Sequence, residues 1–290
     1  MKKRISLLLP TRGRPDLVKR FLRSVVAQST CPELIEVILR VDDDDIDSHG
    51  IVFDGLALKL VIGPRQTMGA YNAECLRHAS GEITIAVNDD IIIQTRGWDE
   101  KVRELDASYP DGVYLGYGND LFKGPELCTF PILSQRTCSV LAEPYPGIYK
   151  GAFIDVHLMD IFRRLEKRGY ARICYAADIV FEHVHYRNNP DALDATYTDR
   201  SRFGDDLTFI ALAGARRLEA NRLLALVSGG SPERRCSPQQ SAVKRTSLIG
   251  IWPLCARKFL LDFDLPLSWR TYLFAWMVAR YYFSRIRRTP

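Results

Sequence analysis

The sequence predicts an α/β domain built on a mostly parallel, buried sheet flanked by helices, followed by a helical appendage. Two observations carry this. Short apolar runs alternate with stretches whose apolar residues recur at helical spacing, the order that produces parallel sheets. The charge also divides: residues 228–290 hold 11 Lys and Arg against 3 Asp and Glu, whereas residues 1–227 hold 29 against 32. The net charge of +5 therefore belongs to the tail.

The first strand is "ISLLLP" (5–10), stopped by Pro10. A helix follows over 14–29, with Leu17, Phe21, Leu22, Val25 and Val26 on one face and Pro15 at its start, where a missing N–H costs nothing. "LIEVILRV" (34–41) is a second strand running into Asp42–Asp45, and "LKLVIG" (58–63) a third, closed by Gly63-Pro64. A helix over 68–80 ends at Gly81, and "ITIAV" (83–87) is the fourth strand. Asn88-Asp89-Asp90 then interrupts an apolar run that resumes at Ile91. Burying an ionised carboxylate without a partner is very costly, so these acids need water, a cation or a ligand. Further on, Leu158, Ile161, Phe162 and Leu165 form a helical stripe, and "DIVFEH" (178–183) is a strand. "SGGSPERRCSPQQSAVKR" has linker composition. The predicted division is a domain over 1–227, a flexible linker over 228–245 and a basic, aromatic helical tail over 246–290.

Composition narrows the function classes. With 47% hydrophobic and 26% charged residues the chain is an ordinary globular protein and not a disordered one. Seven cysteines, none in C-x-x-C spacing, argue for reduced thiols in the cytoplasm and against a zinc site. The basic N-terminus is followed by too short an apolar run for a signal peptide, and no run approaches a membrane span.

In parallel sheets, ligands bind beyond the carboxyl ends of the strands. Four polar clusters fall there: Thr11-Arg12-Gly13-Arg14, Asp42–Asp45, Arg65 and Asn88-Asp89-Asp90. Carboxylates close to basic and hydroxyl groups suit a diphosphate bridged by Mg²⁺ or Mn²⁺, which takes one or two carboxylates plus phosphate oxygens. Taken alone, Asp42–Asp45 is equally well explained as solvated surface.

The segments "SLLLPTRGRPDLVKRFLRSV", "EVILRVDDDD", "GPR", "YNAECLRHASGEITIAVNDD", "GWDEKV" and "FEHVHY" together resemble inverting family 2 glycosyltransferases of the GT-A fold, in a branch found in bacteria and phages. The resemblance runs from about Ile5 to Asp206. It implies a nucleotide-diphosphate-sugar donor held by the N-terminal half and an acceptor held by the C-terminal half. Pro10, Thr11, Arg12 and Arg14 would lie beside the donor nucleoside, and Asp42 or Asp43 would accept from its base or ribose. Arg65 and Asn72 would border the diphosphate. Asn88-Asp89-Asp90 falls where the family carries a D-x-D metal motif, with Asp90 as the direct ligand of Mn²⁺ or Mg²⁺. Asn88 departs from that motif and brings no charge.

Asp155 falls at the family's catalytic aspartate, which takes the acceptor hydroxyl's proton. From its position alone it is equally well a helix N-cap, and Asp160 is an alternative base inside the helix. His183 and His185 share a strand face, where an imidazole could complete the metal's coordination. Family position favours His183. The segment 194–206 resembles a flap over the diphosphate, with Arg200 or Arg202 neutralising leaving-group charge.

The expected function is metal-dependent inverting glycosyl transfer to a hydroxyl, in bacterial surface glycan synthesis on a glycan or lipid-linked acceptor. A phage-type enzyme glycosylating modified DNA bases is the alternative, disfavoured because the body is net acidic. A sugar nucleotidyltransferase would share the fold and metal, but "PTRGRPD" is a poor glycine-rich loop. A noncatalytic carbohydrate- or membrane-binding module would not require Asp90, Asp155 and a histidine together. The tail places three of the four tryptophans among arginines over 248–288. That composition fits docking on the cytoplasmic face of an anionic membrane, and equally a helical pair packed on the domain.

Overall fold

The structure is a computed structural model that describes residues 2–184, 203–232 and 247–286. His185, Arg200, Arg202 and most of the expected linker lie outside the described residues.

Four strands set the frame. β1 (Ile5–Thr11), β2 (Ile35–Asp42), β3 (Ala57–Gly63) and β4 (Ile83–Ala86) run parallel, with β1 between β2 and β4. β1 and β2 are buried along their whole length, as expected of apolar strands covered on both faces. β3 closes this side of the sheet and alternates between exposed and half-buried residues, unlike its two inner neighbours.

The rest of the sheet is mixed. "ITIAVNDDIII" is not one strand: β4 stops at Ala86, Asp89 and Asp90 form a turn, and Ile91–Ile93 become a separate β5. β6 (Leu115–Asn119), β7 (Ile132–Ser134) and β8 (Ile173–His183) complete the order β3-β2-β1-β4-β7-β6-β8-β5. β7 is antiparallel to both β4 and β6, while β6 and β8 run parallel. The carboxyl end of β8 therefore reaches the same edge as that of β4. β5 pairs antiparallel with the end of β8, with Ile91 opposite His183.

Helices cover both faces. α1 (Pro15–Gln28) buries Val18, Phe21, Leu22 and Val25, with Leu17 and Val26 at the margins of that stripe. α2 (Met68–His78) starts at an N-cap in which the Thr67 hydroxyl accepts from the Ala70 N–H. α3 (Trp98–Ala107) packs on the α1 side, and Trp98 meets Phe181 edge-on at 5.6 Å. On the other face lie α2, α4 (Gln135–Val140), α5 (Ile154–Lys167) and α7 (Ala213–Val227), with the short α6 (Asp206–Ala211) just before α7.

The tail helices are α8 (Ile251–Cys255), extended by a π-helical turn over Ala256–Leu260, and α9 (Leu267–Ile286). They lie on the body. Ile251, Cys255, Phe259, Leu273 and Met277 share a core with Phe153, Val156 and Phe209. A buried ionic cluster ties this layer down. Asp160 accepts from Arg216 at 2.8 Å, Arg164 at 3.1 Å and the Trp269 indole at 3.1 Å, and Arg164 also reaches Asp262 at 2.9 Å. Two cations face two anions, so no charge is buried alone. No described helix is long and apolar enough to cross a membrane.

Candidate functional site

All four polar clusters gather at one edge, because β1 to β4 run parallel and each cluster follows a strand end. Thr11 ends β1, and its hydroxyl donates to Asp89 Oδ2 at 2.7 Å. Arg14 donates to the other oxygen of Asp89 at 3.1 Å. Burial raises the Asp89 carboxyl above its usual range, an effect that Arg14 opposes and Asp90 reinforces. Asp89 thus ties the loop after β1 to the turn after β4. Pro10 is buried within β1, one residue before its end.

Asp42 is almost wholly buried. It accepts from Arg12 at 2.7 Å and from the Tyr71 hydroxyl at 2.5 Å. Arg12 also pairs with Asp44, and the Gly13 N–H donates to Asp45 at 2.7 Å. Three of the four aspartates are therefore struts for the loop after β1, while Asp43 stands exposed at the rim. Arg65 is exposed on the loop after β3, at the same rim and near Asp44. Asn72 is buried and donates to the Met68 carbonyl one turn earlier on α2. Asn88 is half-buried ahead of the aspartate turn.

Asp90 and His183 converge from the ends of β4 and β8. Asp90 Oδ2 lies 3.4 Å from His183 Nε2, and the two backbones are laced by the Val184 N–H donating to the Asp90 carbonyl at 2.9 Å. Adjacent ligands with bonds of about 2.1 Å at right angles sit about 3 Å apart, so this pair fits two neighbouring positions on a divalent cation. A carboxylate oxygen with an imidazole nitrogen is also a donor set that Mn²⁺ accepts. The His183 ring is held edge-on by Phe130 at 5.3 Å and Phe122 at 6.3 Å. Elsewhere Cys31, Asp99 and Glu100 cluster, but Arg103 and Lys2 already engage those carboxylates.

Asp155 is in the first turn of α5. The N-cap is Phe153, in left-handed backbone conformation (φ 71°, ψ 0°), so Asp155 is not the cap. A non-glycine residue there stores strain that its surroundings must hold. Phe153 stacks on Phe209 at 4.8 Å and contacts Trp276 at 5.3 Å. The preceding loop is fixed by Asp205, whose carboxylate accepts the backbone N–H groups of Lys150, Gly151 and Ala152 at 2.9–3.0 Å. Burial raises the Asp155 carboxyl above its usual range; the Val156 N–H and nearby His183 pull it down, and Asp120 pushes it up. A carboxylate held so is a better proton acceptor than a solvated one. Asp160 has the opposite character. Burial alone would raise its carboxyl, but Arg216 and Arg164 bring it below the usual range, so it is a scaffold anion and no proton acceptor.

Several site-building residues gave no signal in the sequence. Arg40, on β2, is buried and donates to Glu74 at 2.6 Å and to the Pro64 carbonyl at 2.7 Å, holding the loop that carries Arg65. Asp120 accepts three backbone N–H groups over 122–124 at 2.7–3.0 Å, and its carbonyl accepts the His183 N–H. Tyr272 of α9 is the middle rung of a stack with Trp269 (5.3 Å) and Trp276 (5.6 Å). Its hydroxyl is raised above its usual range, first by burial and then by Glu126 and Asp155. The stack touches α5 at both ends, through Trp276 on Phe153 and Trp269 on Asp160. It therefore borders the site beside Asp155.

No family model matches this chain, and no curated protein matches. Among solved structures, the mannosyltransferase PcManGT from Pyrobaculum calidifontis, in complex with GDP-Man and Mn²⁺, is similar at 15% identity with a TM-score of 0.52. That match covers 100% of this chain and 89% of the other. The S. aureus protein TarS (1–349) matches at 14% identity, covering 96% and 89%, with a TM-score of 0.49. Glucosyl-3-phosphoglycerate synthase from Mycobacterium tuberculosis, in complex with Mn²⁺, UDP and phosphoglyceric acid, matches at 16%, covering 84% and 89%, with a TM-score of 0.45. At these identities the likeness is one of architecture: the chain has the GT-A fold, a mixed α/β sheet flanked by helices.

Proposed function

We propose that the protein is an inverting glycosyltransferase of the family 2 type, moving a sugar from a nucleotide-diphosphate donor to a hydroxyl of a glycan or lipid-linked acceptor in bacterial surface glycan synthesis. The observation that carries the reading is the convergence of Asp90, His183 and Asp155 at one sheet edge, beside a rim built from Thr11, Arg12, Asp43 and Arg65. The donor's nucleoside lies against that rim, with Asp43 as the exposed carboxylate for a ribose or base donor group. Asp42 and Asp89 keep the rim in place from below. Asp90 and His183 would hold Mn²⁺ or Mg²⁺ against the diphosphate, where the ion supplies positive charge to the leaving group.

Asp155 accepts the proton of the acceptor hydroxyl as its oxygen attacks the anomeric carbon. The new carbon–oxygen bond forms on the face opposite the diphosphate, the bond to the diphosphate breaks, and the nucleoside diphosphate departs with the bonding pair. A single displacement of this kind inverts the anomeric centre. Tyr272, its two ring faces covered by Trp269 and Trp276, offers its exposed edge and hydroxyl to an acceptor sugar beside Asp155.

Slow donor hydrolysis tests the reading without a known acceptor. Proton NMR of an α-linked sugar nucleotide incubated with the protein and Mn²⁺ is expected to show the β-anomer of the free sugar first. Initial release of the α-anomer, or no hydrolysis of any donor, would contradict it.

A further inference from the structure

The α8–α9 hairpin lies flat on the body, and its outward face is unlike an ordinary protein surface. Ile249 is 82% exposed, Phe263 70%, Leu267 66%, Phe283 59% and Leu261 58%, with Trp252 beside them at 48%. Along α9 the exposed stripe Leu267, Thr271, Ala275, Ala279 and Phe283 carries no charge over about 25 Å. A surface helix normally turns charged residues to water there.

The charges that the hairpin does carry are sorted by sign. Its two described acids face the body: Asp262 pairs with Arg164 and Arg217, and Asp264 with Arg168 and Arg217. Arg280 also turns inward, to Asp206 at 2.7 Å. Among the described residues of the hairpin, the exposed charged side chains are Arg257 and Arg285, both cationic, with Arg285 also donating to the Tyr281 hydroxyl at 2.9 Å. Trp252 donates its indole N–H to the Tyr282 hydroxyl at 3.0 Å, which fixes the aromatic end of the face.

We propose that this face is a docking surface for an anionic lipid bilayer, lying in the interfacial plane with Phe263, Leu267, Ile249 and Phe283 inserted. Rings and aliphatic groups enter the headgroup–acyl boundary while guanidinium groups meet phosphates. Self-association fits less well, because a two-fold pairing of this face would bring its like charges together. The proposal does not depend on the catalytic reading.

The test is co-sedimentation of the full-length protein with vesicles of phosphatidylcholine alone or containing about 30% phosphatidylglycerol. Binding is expected to the anionic vesicles and to fall as NaCl rises from about 0.05 to about 0.5 M. The double variant Phe263→Glu/Leu267→Glu is expected to reduce the bound fraction at least about tenfold with an unchanged melting temperature, since both side chains are exposed and leave no cavity. Three results would overturn the proposal: no binding of the unmodified protein to either vesicle, binding that survives the double variant, or a dimer in light scattering that the double variant dissolves.

Discussion

Replacing Asp155 by Asn separates catalysis from stability. Asn keeps the size of the side chain and its ability to accept from the Val156 N–H, and removes the proton acceptor. The usual contribution of general base catalysis is about 10²–10⁴, so kcat is expected to fall by that factor, equivalent to about 3–5 kcal/mol of barrier. Donor affinity is expected to hold, because Asp155 enters from α5 and the donor rim from β1 to β4. The stability effect has the opposite sign to a usual loss of charge. Burial raises the folded-state pKa of Asp155 above the value in the unfolded chain, so ionisation at neutral pH costs folding free energy. That cost is absent below about pH 3.8 and complete once the pH has passed the raised folded-state value. Asp155→Asn is therefore expected to melt no lower than the unmodified protein at pH 7.5, with any gain vanishing in acid. Calorimetry gives both the melting curves and the nucleotide affinity, and release of nucleoside diphosphate gives kcat. A variant that melts well below the unmodified protein while its folded fraction turns over at full rate would refute the reasoning.

Four further outcomes follow from the same geometry. Asp90→Ala and His183→Ala are each expected to abolish the stimulation by Mn²⁺ and to weaken Mn²⁺ binding in titration calorimetry by at least about tenfold; unchanged Mn²⁺ affinity would remove the pair as ligands. The acid limb of kcat/KM is expected above the ordinary aspartate range, because the base must lose its proton and its pKa is raised; a limb at or below about pH 4 would point to another group. Asp160→Ala leaves two buried guanidinium groups against one carboxylate, Arg216 losing its ion pair while Arg164 keeps Asp262, and is expected to cost about 3–5 kcal/mol in denaturant unfolding, with kcat per folded molecule little changed. Gly69→Ala would set a Cβ 2.0 Å from the Pro146 carbonyl oxygen, prying α2 from the loop before α5, and a loss of about 1–3 kcal/mol is expected in thermal melts.

The parts of the fold legible in the sequence were those set by local pattern. β1, β2, α1 and α2 announce themselves through apolar runs and periodicity, and parallel order then brings four polar loops to one edge. The antiparallel insertion of β7 could not be seen, since three residues, Ile132–Ser134, carry no distinctive period and their partners lie on β4 and β6. Among the candidate site residues, Asp90, His183 and Asp155 come together, yet much of what holds them was hidden. Arg40 sits in what otherwise reads as a buried apolar strand, and Asp120 and Asp205 look like any loop aspartates until the backbone curls around them. Their work lies in contacts distant in sequence or in loop geometry, neither of which periodicity encodes. Asp42 and Asp43 were indistinguishable as neighbours in a run. Only the fold turns one inward to Arg12 and Tyr71 and leaves the other at the rim. The tail's composition fitted two arrangements, and the hairpin packs on the body while keeping an apolar outer face.

The most direct measurement is product release from a panel of sugar nucleotides, with Mn²⁺ or with EDTA, for the unmodified protein, Asp90→Ala and Asp155→Asn. The account predicts Mn²⁺-dependent release of nucleoside diphosphate from at least one donor, lost in Asp90→Ala and reduced about 10²–10⁴-fold in Asp155→Asn. Pyrophosphate formed from a nucleoside triphosphate and a sugar phosphate, or equal turnover by all three proteins, would contradict it.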